Sequence, residues 1–350
     1  MDRMISTRST QVRANTDRLM IMALSPTDFG LPEYISLYNE MRRPSTSHFL
    51  VKKLKLLLIF NPHAANGRAA KLLPRIQAGL EQFSEVVTLP TAYAGHAREL
   101  VSESDLSKFD GLIAAGGDGT LFEVLNGLYQ HEREERVRLG LIPVGTGNAF
   151  ARELGLMPGD WKKGLDIIAQ GKLRRLDVGR VESNSEIFYF LNIIGLGFPV
   201  DAMMTAKKLK MFRNSAYTLA VIREIFRLKS YRLIIEINGK YIEERNVFVE
   251  ISNTRYTGTS FLIAPHARVD DGLLDVTLLR ELPRMRLLRL FPTIYSGRHT
   301  DFAEVSTCTA STIKIISPEN CLLAPDGELY GETPVTITCV RKDLEFFCPG

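Results

Sequence analysis

Apolar residues are distributed in two different rhythms along this chain. Between Leu54 and about residue 174, short, largely apolar strand-like runs occupy residues 54–60, 83–89, 111–115 and 139–143. Between them the spacing turns helical: Ala69, Leu72, Leu73, Ile76 and Leu80 follow the first run, a segment near 96–101 the second, and Leu121, Leu125 and Leu128 the third. A strand must be apolar on both faces when helices cover both sides of its sheet, so the alternation predicts a parallel sheet inside a three-layer α/β domain of Rossmann-like type.

Past Arg174 the texture changes. Strand-like runs at 187–194, 232–238, 246–252, 260–264, 273–279, 311–316 and 335–339 follow closely, with helical interruptions around 205–229 and 283–294. Many short strands and few helices predict a mostly antiparallel β-sandwich domain. The expected division is an N-terminal extension at 1–50, an α/β nucleotide-binding domain at 51–178 and a β-rich substrate domain at 179–350, with a return of the last strands to the first domain left open. The extension reads either as a plain tail or as an amphipathic or targeting arm, since Arg3, Arg8, Arg13 and Arg18 are basic and acids are sparse. The most apolar stretch, 188–200, is closed by Asp201 and is too short to cross a bilayer as one helix.

Composition narrows the function by exclusion. The 350 residues carry a formal charge of +4, too slight for a surface that wraps nucleic acid. Cys308, Cys321, Cys339 and Cys348 have neither paired spacing nor neighbouring histidines, so they make no zinc site. Two disulfides stay open as a pairing, but a chain of this size needs none, and a reducing cytoplasm is expected.

Chemistry is concentrated in the loops after the apolar runs. Gly116-Gly117-Asp118-Gly119-Thr120 and Gly145-Thr146-Gly147-Asn148 each follow a strand and precede a helix, where backbone N–H groups and the helix N-terminus favour phosphate. Two such loops at one carboxyl edge predict a nucleotide site, and tight turns are the alternative. A carboxylate in such a loop repels phosphate unless a cation lies between, making Asp118 a candidate Mg²⁺ ligand or else a cap of its own turn. Thr120 either caps the helix or donates to phosphate, and Glu123 orients a loop amide or a metal-bound water. Asn61 and Gly67, with Arg68 and Lys71 nearby, form a third loop, and Thr91 and His96 follow the second strand. Near the C-terminus Pro325-Asp326-Gly327-Glu328 reads first as a hairpin turn; folded over a cleft, Asp326 or Glu328 would take a proton from a hydroxyl. Lys207, Lys208, Lys210 and Arg213, interleaved with Leu209, Met211 and Phe212, suit phosphates, an anionic lipid surface or plain solvation.

Together these motifs resemble the diacylglycerol kinase catalytic domain, shared with sphingosine kinases. The likeness rests on Asn61-Pro62, on 116–120 with Glu123, Asn126 and Gly127, and on Pro143 through Arg152. It continues through Gly195-Leu196-Gly197-Phe198, residues 264–272, Gly297-Arg298-His299 and Asp326-Gly327-Glu328, covering roughly 53–349 in order. The resemblance implies ATP and Mg²⁺ in an interdomain cleft and a lipid whose hydroxyl enters from the β-rich domain. It implies that Asp118 belongs to the loop serving magnesium and the γ-phosphate, and that Gly117, Gly119, Gly145, Thr146, Asn148 and Arg152 belong to the nucleotide site. By the same likeness Glu328 activates the lipid hydroxyl, Asp271 and Asp275 surround a structural magnesium, and Asp201 contacts the polar head of a sphingoid substrate.

Two departures qualify the likeness. Many diacylglycerol kinases have Asp where this chain, like the sphingosine kinases, has Ala149, and Ala216 stands where sphingosine kinases have an arginine near the phosphates, leaving Lys210 or Arg213 to substitute. The expected activity is ATP-dependent phosphorylation of a primary hydroxyl on a membrane lipid, diacylglycerol or a sphingoid base, by a cytoplasmic enzyme peripherally attached to the membrane. A soluble kinase acting on NAD and a non-catalytic nucleotide sensor are the alternatives, and assembly as a homodimer stays open. Phe198, Met203, Phe212, Tyr217 and Leu219 are candidates to line the lipid passage, or ordinary core.

Overall fold

The computed structural model describes residues 53–184, 186–208, 216–258 and 260–349. The extension expected at 1–50 lies outside them, as do Lys210, Phe212 and Arg213.

The first half is an α/β unit. Strands β1 (Leu54–Phe60), β2 (Ser84–Pro90), β3 (Gly111–Gly116) and β4 (Arg138–Pro143) are parallel in the spatial order β2-β1-β3-β4. The apolar runs of β1, β3 and β4 are almost wholly buried, as a covered sheet requires. Helices α1 (Leu73–Glu81), α2 (His96–Ser102), α3 (Asp118–Leu128) and α4 (Trp161–Gln170) flank it, α1 packing on α4 and α2 on α3. Gly79 permits the first contact: a Cβ there would lie 2.6 Å from Leu165 Cδ1. In register, Phe60 stands opposite both Pro90 and Ala115, and Ala115 opposite Ile142, so the strands end at one level and their loops share one edge.

The second half is antiparallel in its strand pairing. Its strands are β5 (Leu173–Ser183), β6 (Glu186–Phe190), β7 (Ile193–Gly197), β8 (Tyr231–Ile237), β9 (Lys240–Ser252), β10 (Tyr256–Thr257), β11 (Phe261–Leu262) and β12 (Leu274–Arg280). Then come β13 (Val305–Ala310), β14 (Thr312–Ile316), β15 (Leu323–Pro325) and β16 (Val335–Phe347). Helices α5 (Phe198–Lys208), α6 (Ala216–Phe226) and α7 (Arg284–Leu290) lie among them. Asn238 and Gly239, both at positive φ, close the β8–β9 hairpin, the turn whose twist matches its strands.

Strand β16 serves both halves. Residues 335–340 pair with β14 and β5; after an irregularity at Lys342, whose φ is +50°, residues 344–347 rejoin β5 and Phe346 pairs parallel with Leu139 of β4. Fourteen strands thereby form one connected sheet. The apolar run at 187–194 is two strands, not one, because the Asp326 carboxylate accepts the N–H groups of Leu191, Asn192 and Ile193 and takes them out of any ladder. All four cysteines are free thiols.

Candidate active site

A cleft of about 460 Å³ opens at the carboxyl edge of the parallel strands, lined by Asn61, Gly117, Thr120, Gly145, Thr146 and Glu328 among others. Its floor is backbone. The N–H groups of Val144 and Gly145 both donate to Gly116 O, at 3.1 and 3.0 Å, tying the two glycine loops together. A Cβ on Gly145 would fall 2.4 Å from Gly117 Cα, so only glycine permits this approach. Asn61 N donates to Ala115 O at 2.9 Å and its Nδ2 to Thr120 Oγ1 at 2.9 Å, fixing the third loop against the start of α3. Gly117, Gly119 and Thr120 thus present the positive end of an 11-residue helix to the cleft, and this cradle fits a nucleotide phosphate chain.

The acidic residues are arranged differently from one another. Asp118 turns its carboxylate into the neighbouring loop, where Oδ2 accepts from Ala149 N at 3.0 Å and Oδ1 from Phe150 N at 3.4 Å. Burial pushes its pKa up, against the pull of those amides and that of Asn148. Glu123 accepts from Gly95 N at 2.8 Å and Ala97 N at 3.1 Å, capping the start of α2; of its two expected uses it performs the loop-amide one.

Glu328 arrives from the other half of the chain. Strand β15 pairs with β7 and delivers a tight turn in which Glu328 N donates to Pro325 O at 2.8 Å, with Asp326 and Gly327 at φ +47° and +85°. The carboxylate stands over the beginning of α3: a Cβ on Gly119 would meet Glu328 Oε1 at 2.5 Å. Although the side chain faces open cleft, desolvation by the cleft walls raises its pKa; Lys207 opposes that rise, and the carboxylates of Glu123 and Asp118 add to it.

On the far side of the same turn lies an apolar cavity of about 300 Å³, walled by Phe198, Met203, Val221, Phe248, Phe261 and Leu287. Gly327 lines this cavity, whereas Glu328 lines the polar cleft. Of the proposed lipid-passage residues, Phe198 and Met203 take that position.

Other candidates fall elsewhere. Asp326 is a strut: it is 5% exposed, with three backbone donors on its carboxylate and burial pushing its pKa to about 7, so it is withheld from nucleotide. Arg152 stacks over the Tyr256 ring at 4.7 Å instead of facing phosphate. Asn148 shapes its loop from φ +47°, donating to Gly145 O. His96 accepts from Ala92 N and stacks on Tyr93, and it is Tyr93 that reaches the cleft. Gly67 turns the first loop, but His63, Ala64 and Ala65 line the cleft in its stead, while Thr91 lines it as expected. Asp201 accepts the Tyr231 hydroxyl at 2.6 Å and lies outside the apolar cavity's lining.

The metal expectations fare unevenly. Asp271 accepts from Leu273 N, and Asp275 has its pKa pushed to about 6 by burial and by Asp271, with His266 opposing. Among the described residues no three His, Cys, Asp or Glu side chains cluster to hold an ion, so Asp118, Asp271 and Asp275 form no all-protein metal cage. Magnesium carried by nucleotide phosphates needs only one or two carboxylates, and besides the proton acceptor Glu328 the acids at the cradle are Asp118 at the start of α3 and Glu123 in the cleft lining.

One functional candidate escaped sequence reasoning: Glu250, whose side chain lines the apolar cavity. Its only signal was an acid inside the apolar run of β9.

Comparison with known proteins agrees with this architecture. Residues 55–181 match the diacylglycerol kinase catalytic domain, and residues 192–348 match the YegS C-terminal NAD kinase beta sandwich-like domain. A diacylglycerol kinase of Mycobacterium tuberculosis is 31% identical over 302 residues, covering 84% of this chain and 95% of the relative. One from Bacillus subtilis is 32% identical over 295 residues, covering 83% and 95%. A solved structure of a candidate diacylglycerol kinase from Bacillus anthracis str. Sterne superposes with a TM-score of 0.71 at 28% identity, covering 85% of this chain and 98% of that one. The chain belongs to the diacylglycerol kinase family and is an ATP-using kinase.

Proposed function

We propose that this kinase transfers the γ-phosphate of ATP to the primary hydroxyl of a membrane glycerolipid, with diacylglycerol as the acceptor. The observation that carries the reading is the turn at 327 and 328: consecutive residues line an apolar cavity and a phosphate cradle, leaving the Glu328 carboxylate at their boundary. A lipid hydroxyl held there has its tail out of water, and a polar acceptor such as NAD would find almost no polar partners on the cavity wall.

The chemistry asked of the protein is modest. Glu328 accepts the hydroxyl proton as the lipid oxygen bonds to phosphorus and ADP departs, while the amides of the glycine loops and the α3 terminus hold the phosphate oxygens in line. Mg²⁺, when bound with ATP, offsets phosphate charge. Asp118 holds the 145–150 loop in place against the helix terminus, and Lys207 lies near enough to Glu328 to influence its charge.

Peripheral membrane contact is part of this proposal, and the exposed surface of α6 and of the α7 region supports it. Helix α6 exposes Ile222 and Phe226, and the α7 region exposes Met285 and Tyr295, beside exposed Arg223, Arg284 and Arg289. Apolar side chains flanked by cations suit an anionic lipid surface. Among the described residues no helix is long and apolar enough to cross a membrane.

The test supplies the protein with ATP, Mg²⁺ and, separately, a native lipid extract, diacylglycerol, sphingosine and NAD, and identifies products by mass spectrometry. Phosphatidic acid is the expected product. Phosphorylation of NAD alone would overturn the lipid reading, and sphingosine phosphate without phosphatidic acid would overturn its acceptor.

A further inference from the structure

The apolar cavity has one chemical anomaly in its wall. Along β9 the side chains alternate, Val249 and Ile251 entering the sandwich core while Phe248 and Glu250 line the cavity. Glu250 is 7% exposed and is the only ionisable side chain among the described residues that line it. Its Oε2 is buried and has no hydrogen-bond partner among the described residues. The stem packs against the neighbouring strand: Gly195 of β7 stands opposite it, and a Cβ there would be in ordinary contact with Glu250 Cγ at 3.5 Å.

Charged groups on the surrounding elements are either engaged elsewhere or exposed, as Lys208 on α5, Arg223 on α6 and Arg284 and Arg289 on α7 are. Asp201 on α5 holds Tyr231, Glu224 on α6 accepts from Thr205 at 2.7 Å, Arg286 on α7 pairs with Glu304, and Lys207 acts on Glu328. Opposite Glu250, β7 presents Gly195 and β12 presents Thr277, neither ionisable. Burial is the one cause acting on the Glu250 pKa, pushing it up to about 8. An acid left unpaired in an apolar wall is destabilising, and a leucine would pack there without that penalty. The arrangement has a physical rationale when the partner is the ligand.

We infer that the Glu250 carboxyl donates a hydrogen bond to an acyl ester carbonyl of the bound acceptor and thereby selects ester-linked glycerolipids. The inference rests on the diacylglycerol reading above. An ester carbonyl is an acceptor without charge, which matches a single O–H donor in a site with little else to solvate ions. The ester on the carbon beside the reactive hydroxymethyl group is the nearest one to Glu328. An ammonium group would instead require an ionised carboxylate, and the cavity lining holds no second charged group to share that burden.

The experiment compares 1,2-diacylglycerol with 1,2-dialkylglycerol of equal chain length, whose ether oxygens replace the esters, in mixed micelles. The readout is the ratio of kcat/KM for ester over ether. Wild-type enzyme is expected to favour the ester roughly tenfold, E250L to lose that preference, and E250Q, whose amide N–H still donates, to keep most of it. The wild-type preference should also fall above about pH 8, as the donor proton is lost, and that fall should be absent in E250Q. When E250L lacks a cooperative thermal transition, E250Q and the wild-type pH profile decide. Equal ester-to-ether ratios in wild type and E250L, with both lipids phosphorylated, would overturn the inference and leave the lipid-kinase reading standing. Wild-type turnover of neither glycerolipid would overturn that reading as well, and turnover of sphingosine alone would reassign the carboxyl to an ammonium group.

Discussion

The two cavities that meet at Gly327 and Glu328 are built by opposite means. The polar cleft is a backbone site: its shape comes from Gly117, Gly119 and Gly145, and the carboxylates of Asp118 and Glu123 hold loop amides and so fix that shape. The apolar cavity is a side-chain site, drawn from β7, β9, α5, α6 and α7, with one carboxyl in its wall. A backbone site offers directed N–H groups and tolerates almost no added atoms. A side-chain site offers volume and tolerates conservative exchange, so specificity in it falls to the few polar groups present. Perturbing the boundary, then each side in turn, tests this division.

The largest effect is expected at the boundary itself. Glu328→Gln removes the proton acceptor but keeps the size of the side chain, and should lower kcat about 10²–10⁴-fold. Nucleotide affinity should change little, because the phosphate cradle is backbone. Single-turnover transfer from ATP to diacylglycerol, set beside calorimetric nucleotide binding, measures both. An unchanged transfer rate would move the base role away from Glu328. Its raised pKa also fixes a sign: the base acts ionised, so activity is lost as pH falls through a value above the ordinary glutamate range. Since Lys207 opposes the rise, Lys207→Met should displace the acid limb of the kcat profile to still higher pH.

Next in size is an attack on the backbone site. In Gly145→Ala the new methyl group meets Gly117 Cα at 2.4 Å, a backbone neighbour that cannot rotate away. Overpacking of about 1–3 kcal/mol, expressed through the cradle, is roughly a five- to 150-fold loss of ATP affinity. The apolar cavity shares no wall with residue 145, so uptake of a fluorescent lipid should be retained. Loss of lipid uptake with ATP affinity unchanged would contradict the division.

How much was legible follows the same line. Continuous apolar runs betrayed the buried parallel strands, and glycines next to them betrayed the cradle, because both are dictated by local chain geometry. Strand β5 stayed hidden, since it opens on exposed Arg174 and Arg175 and carries Asp177, Arg180 and Glu182 among its apolar residues. Asp326 shares a motif with Glu328, and that adjacency suggests a shared task, whereas it reaches back to accept from Leu191, Asn192 and Ile193 and holds the turn from below. Glu250 left no motif at all, because what makes it notable is the absence of a partner, and that is a property of the packed cavity. Long-range placement, not residue type, separates these cases.

A smaller effect is expected where the two halves are stitched together. Asn126, 4% exposed on α3, donates to Tyr189 O and accepts from Tyr189 N, both at 2.9 Å, so its amide replaces a strand partner for the edge of β6. Asn126→Ala leaves both backbone groups unmatched and should cost about 1–3 kcal/mol of stability, read as a shift of the denaturation midpoint. Since α3 carries the cradle and β6 belongs to the sandwich, nucleotide binding should weaken with it. A midpoint unchanged within error would mean that water replaces the amide and that the halves are held together elsewhere.

The smallest effect belongs to the outer face of the apolar side. Phe226, 60% exposed on α6, gives part of its ring surface to water although the helix buries Val221 and Ile225 against the core. Its burial in a lipid surface would contribute on the order of 1 kcal/mol, about a fivefold change in partition between vesicle and solution. Phe226→Ser should therefore weaken sedimentation with anionic vesicles about fivefold and lower turnover of long-chain diacylglycerol presented in them by a similar factor. Turnover of a short-chain, monomeric diacylglycerol should not change, because the cavity wall is made by Val221 on another face of the helix. Equal losses on both substrates would place Phe226 in the support of the cavity, and would shift the membrane-facing surface to the exposed Met285 and Tyr295.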